Sequence, residues 1–164
     1  MSAMFMVTVS GAEHPERLRD LATLTHQHQG KWVNSRVINL DGYFATIFKV
    51  ELPEDQAEPL QDKLIDFPDV NLQILPCLDT PEVARHTVAL HVDAEDRAGL
   101  IQDITSCLAQ HDVVVDKMEC HRFQVADAAS LVFSAAFELS VPASLDIGMI
   151  KSELEELDAG LKVK

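Results

Sequence analysis

Residues 5–9 and 88–92, Phe5-Met6-Val7-Thr8-Val9 and Val88-Ala89-Leu90-His91-Val92, align at an offset of 83, and the correspondence runs far beyond them. A chain that repeats its pattern repeats its secondary structure, so this similarity constrains the fold before any element is assigned. Both pentapeptides alternate apolar with less apolar side chains at period two, which predicts a half-buried strand. A polar loop follows in each. Then come residues spaced three and four apart, Leu18, Leu21, Leu24 and His28 in one copy and Ile101, Ile104, Cys107 and His111 in the other, the spacing of one helix face.

In the first copy Trp32 to Leu40 and Tyr43 to Leu52 flank Asp41-Gly42, a hairpin signature. In the second, Val113 to Arg122 and Ser130 to Val141 are joined by a longer segment, Phe123 to Ala129. The offset accordingly grows to 89, laying Phe48-Lys49-Val50-Glu51-Leu52-Pro53 on Phe137-Glu138-Leu139-Ser140-Val141-Pro142. A second helix (Leu60 and Leu64; Ile150, Leu154 and Leu157) and a short strand (Val70 to Leu75; Leu161 to Val163) close each copy. The expected class is α+β: two ferredoxin-like βαββαβ units in tandem, each an antiparallel four-stranded sheet with its helices on one face. Residues 1–76 make the first domain, 77–85 a linker containing Asp79, Thr80 and Pro81, and 86–164 the second domain. A sheet face without helices should be polar, yet Tyr43, Ala45 and Ile47 fall on it in the first unit and Val132 and Ala136 in the second. These residues point to cover by a second copy, a homodimer, or by pairing of the two halves.

Charge narrows the function. Lys and Arg number 13 against 27 Asp and Glu, a formal net charge of −14. The imbalance is even, with six basic against thirteen acidic residues in 1–82 and seven against fourteen in 83–164. Phosphate-backbone binding requires clustered Lys and Arg, so direct nucleic-acid binding is not expected, and anionic membrane surfaces are disfavoured for the same reason. No segment approaches the ~18 apolar residues of a membrane span, and the start of the chain lacks the basic residues of a secretory signal. A cytoplasmic protein is expected. Cys77, Cys107 and Cys120 are too few for a disulfide framework and are read as reduced thiols.

The candidate site is the turn Asp93-Ala94-Glu95-Asp96-Arg97-Ala98-Gly99-Leu100-Ile101. A helix starting there offers unpaired backbone N–H groups to a carboxylate, Gly99 allows close approach, and Asp93 or Asp96 can accept from an ammonium group. These are the needs of a free amino acid. The same residues admit a purely structural reading, in which Asp96 caps the helix and Gly99 relieves crowding.

A βαββαβ unit whose first loop reads Asp96-Arg97-Ala98-Gly99-Leu100 resembles the ACT domain, whose usual form there is Asp-Arg-Pro-Gly-Leu or Ile. The tandem resembles the glycine cleavage system regulator family, and Gly30-Lys31-Trp32-Val33-Asn34-Ser35-Arg36-Val37 with Asp41-Gly42-Tyr43-Phe44 is similar to that family's first repeat. The resemblance implies a regulatory module that senses a small ligand, often an amino acid, and acts through a protein partner such as a transcription activator. Asp93, Asp96, Arg97, Ala98, Gly99, Leu100 and Ile101 would then bind the ligand, with Val113 and Val114 or an adjoining unit as the closing wall. Ala98 replaces the family's proline, and Val114 lies near the position where amino-acid-binding members carry Asn. In the first copy the loop is Glu13-His14-Pro15-Glu16-Arg17, with Glu16 in place of glycine, so that repeat is expected to be vacant.

No cofactor, metal or catalytic set is expected. His26 and His28 lie on different helix faces, Cys120 and His121 on opposite strand faces, and His28 and His111 at equivalent helix ends. An acylphosphatase-like phosphate cradle is contradicted by the acidic neighbours of Arg97, and no Ser-His-Asp set assembles from local spacing. RNA-binding aromatics on the middle strands are limited to Phe133 or Phe137. The alternative in another class is a protein-interaction regulator that needs no ligand.

Overall fold

In the first half, alternation makes β1 (Ser2–Ala12), the Asp41-Gly42 turn joins β2 (Lys31–Leu40) to β3 (Tyr43–Pro53), and β4 (Asn71–Pro76) closes the sheet. Helices α1 (Arg17–Gln27) and α2 (Glu54–Ile65) lie between. The second half repeats the order as β5 (Arg85–Glu95), α3 (Leu100–Gln110), β6 (Val114–Gln124), β7 (Leu131–Pro142), α4 (Ile147–Glu156) and β8 (Lys162–Val163). The sheets run β2-β3-β1-β4 and β6-β7-β5-β8, antiparallel throughout. This computed structural model describes residues 1–80, 83–126 and 129–164. Contacts divide the chain into unit 1, Met1–Thr80, and unit 2, Pro81–Lys164. Residues 81 and 82 of the expected linker and 127 and 128 of the expected β6–β7 connection lie outside the described residues.

Each unit buries its own core between sheet and helices. In unit 1 Phe44, Thr46, Phe48, Val50 and Leu52 of β3 are all buried, and Leu21, Leu60 and Leu64 meet them from the helices. Trp32 stacks on Phe48, with ring centroids 4.2 Å apart, and its indole donates to Thr25 Oγ1 at 3.1 Å. In unit 2 the same roles fall to Phe133, Ala135, Phe137, Leu139 and Val141 of β7. Tyr43, Ala45, Ile47 and Ala136 are exposed on the opposite face, as alternation requires, and Val132 is half-buried there.

Three expectations change. The buried face of α3 is Leu100, Ile104, Cys107 and Leu108, rotated from the predicted one, because Ile101 is only half-buried and Leu108 completes the stripe. Phe133 and Phe137 are core residues, so neither is presented for base stacking. The exposed aromatic of unit 2 is Phe123, on β6, which runs on to Gln124 where a loop was expected.

The edge strands share an irregularity. Register slips by one residue between Trp32 and Asn34 in β2 and between Val115 and Lys117 in β6, positions related by the same offset of 83. Each slip is a β-bulge.

Candidate functional site

The loop from β5 to α3 turns on Gly99, which is the helix N-cap with φ +80°. An L-residue other than Asn or Asp rarely adopts that conformation, whereas a Cβ placed there would meet nothing within 4 Å. Backbone shape therefore selects glycine, and relief of crowding within the chain is not the reason. The N-cap of α3 is Gly99 and not Asp96, so the expected capping by Asp96 is corrected as well. The Asp96 carboxylate instead accepts from Arg122 Nε at 3.0 Å, which ties the loop to β6.

Arg97 is held from two sides. Its Nη2 donates to Asp103 at 2.8 Å and its Nε to Asp158 at 2.9 Å, and the guanidinium also reaches the carbonyl of Ala98. The bonds to Asp103 and Asp158 hold the Arg97 pKa above its ordinary value. Reciprocally, Arg97 and the Gly160 N–H hold the Asp158 carboxyl below the usual carboxylate range. The ion pairs staple the β5–α3 loop to the turn after α4.

Asp93 faces away from the loop. It belongs to the outward set of β5, beside His91 on the same strand and Ser134 on β7. Its Oδ1 lies 3.0 Å from His91 Nε2, and Ser134 Oγ lies 2.9 Å from that same nitrogen. Partial burial pushes the Asp93 pKa up, but hydrogen bonds from Ser134 and His91 and the nearby Lys164 charge outweigh it, leaving the carboxyl below its ordinary value. These residues form a Ser-His-Asp set that local spacing did not show. It is not a nucleophilic triad, because Ser134 and Asp93 share one imidazole nitrogen, whereas activation requires the base nitrogen and the carboxylate-held nitrogen to be opposite.

The remaining loop residues separate. Ala98 is exposed, Leu100 is core, Ile101 is half-buried, and the proposed wall splits, with Val113 buried in the core and Val114 exposed on the edge strand.

Residues 3–70 match the ACT domain family. That span lies within unit 1. The whole chain aligns with an unknown protein from Galdieria sulphuraria at a TM-score of 0.86 and 19% identity, covering 100% of this chain and 97% of that one. It also aligns with a provisionally assigned glycine cleavage system transcriptional repressor at a TM-score of 0.69 and 15% identity, covering 100% and 98%. At these identities the likeness establishes the shared two-unit fold. No curated protein sequence matches. The chain is a tandem of ferredoxin-like βαββαβ units, the first of which carries the match to the ACT domain family.

The family match falls on the unit whose loop departs from the ACT motif. Glu16, in the place of Gly99, sits at φ −91°, so the loops of the two units differ in backbone course as well as in side chain. His28 and His111 are the C-caps of α1 and α3. His28 Nδ1 lies 3.0 Å from the Leu24 carbonyl, and His111 Nε2 bonds Glu153 of α4. Burial first, and then the Glu153 charge, push the Cys107 thiol pKa up, away from reactivity. Among the described residues no group of three or more His, Cys, Asp or Glu is placed to hold a metal, and no helix is long and apolar enough to cross a membrane.

Proposed function

We propose that this chain is a non-catalytic, cytoplasmic regulatory protein whose ACT units register a small ligand such as an amino acid and act through a protein partner. The observation that carries the reading is the ACT family match in a two-unit chain whose second loop ends at an uncapped helix start. There the N–H groups of Gly99, Leu100 and Ile101 are suited to a carboxylate. Transcriptional control of glycine cleavage, the role assigned to one structural relative, fits a chain that reaches DNA only through another protein, since its own charge is −14.

The test is a panel of amino acids at millimolar concentration with the melting transition as readout. A ligand at ~100 times its dissociation constant adds ~2.7 kcal/mol, and each kcal/mol moves a transition at this size by ~2 to 4 °C. A response to at least one amino acid is expected. Silence across the panel overturns ligand sensing.

A second reading, regulation by protein contact alone, is favoured by the outer face of unit 1. Ile38, Leu40, Tyr43 and Ile47 are 58%, 67%, 66% and 42% exposed on adjacent strands, a strip suited to burial by a homodimer or another partner. Asp93, Asp96 and Arg97 being already paired within the chain points the same way.

A further inference from the structure

The open face of sheet β6-β7-β5-β8 bears a concavity of about 430 Å³. Its origin can be read from strand register. Ala136 of β7 lies opposite His91 on β5 and Glu119 on β6, while Glu138 lies opposite Ala89 and Lys117. Two alanines thus form the floor, and long charged side chains stand around it. Lys164 completes the rim, its backbone exchanging hydrogen bonds of 2.8 and 3.0 Å with His91.

The other unit shows what this arrangement looks like without a concavity. The pairings Met6–Lys49 and Thr8–Ile47 are the counterparts of Ala89–Glu138 and His91–Ala136. Met6 and Ile47 therefore occupy the two floor positions. The two units fill equivalent core positions with apolar residues and differ here, where the one has bulk and the other has space.

The rim limits the occupant. Lys117 and Lys164 oppose Glu119 and Glu138, and Lys117 stands 3.4 Å from Glu119. An ion of either sign would be attracted by one pair and repelled by the other, while a molecule carrying both charges satisfies both. The methyl floor suits an apolar group between them. We infer that this face binds a zwitterionic α-amino acid with an apolar side chain, its carboxylate toward Lys164, its ammonium group toward Glu119 and Glu138, and its side chain across Ala89 and Ala136. The inference rests on the ligand-sensing reading but moves the site from the Gly99 loop to the sheet.

The test is an amide-resolved NMR titration of the full chain with L-leucine, and with isocaproate and isoamylamine, which each lack one of its charges. Leucine should shift the amides of Ala89, His91 and Ala136, and each singly charged analogue should bind about tenfold more weakly, the loss expected for one charge-assisted contact at a solvent-open site. Ala136→Ile, which installs the residue of unit 1 at an exposed strand position, should abolish the shifts while the melting temperature holds. Ala89→Met should do the same. Shifts centred on residues 99–101, full affinity in Ala136→Ile, or equal binding of an analogue would each overturn the inference while leaving ligand sensing intact. Absence of any leucine effect also overturns it, whereas sensing itself falls only if the whole thermal panel is silent.

Discussion

Gly99 and Glu16 occupy one place in two copies of the same loop with φ of opposite sign, +80° and −91°. The contrast makes Gly99 testable as a backbone residue, separately from any ligand. With open space around its Cα, Gly99→Ala should cost only the left-handed strain, about 1–2 kcal/mol, and Gly99→Asn less, as read from urea denaturation. Equal losses in the two variants would place the cost elsewhere. Asp93 gives a second residue-level expectation. Its folded pKa lies below the ordinary value, so its contribution to stability is present above the usual carboxylate range and is lost as pH falls through the depressed folded value. Asp93→Asn should therefore lower the urea midpoint at pH ~7 and narrow the difference between that midpoint and the one at pH ~3. An unchanged difference would show that the carboxylate is not coupled to folding.

Among the elements, α4 has a side-chain cap: Asp146 accepts from the Gly148 N–H at 2.9 Å. Asp146→Ala should destabilise unit 2 by about 1 kcal/mol, measurable as faster hydrogen exchange along α4, and a silent result would mean that water replaces the cap at no cost. The elements themselves were legible because each depends on local periodicity: the β2–β3 hairpin from Asp41-Gly42, the inward set of β3 from alternation, both second helices from Leu60, Leu64, Ile150 and Leu154. The loop was legible only in part. Arg97 finds Asp158 from 61 residues away and Asp96 finds Arg122 from 26, and no spacing rule in one sequence reports pairs formed by tertiary approach. The positive φ of Gly99 was likewise hidden, since glycine serves for space or for conformation and the sequence alone does not distinguish them. The alanine floor did leave a trace: the offsets of 83 and 89 already set Ala89 against Met6 and Ala136 against Ile47.

For the whole molecule, charge is the dominant fact. A net −14 spread evenly over two units leaves neither one suited to polyphosphate contact. The purified protein alone should retard no DNA in a gel shift at physiological salt and nanomolar concentration. A retarded, salt-sensitive band would reveal a basic surface that the sequence does not suggest, and would remove the need for a partner in transcriptional control.

The paired bulges have a consequence for how such a chain tolerates change. A strand is read two residues at a time, and Asp116 is the extra step that resets the count, so that Lys117, Glu119, His121 and Phe123 emerge on the open side and Cys120 toward the helices. Loss of that one residue would make Val115 and Lys117 direct neighbours in regular alternation, removing the bulge while keeping Lys117 and Glu119 on the open side. Val33 holds the same office in β2. A lost codon at position 33 or 116 would straighten the strand without turning a face, whereas one lost elsewhere along these strands would slip every side chain beyond it, so drift in length should be confined to the two bulges.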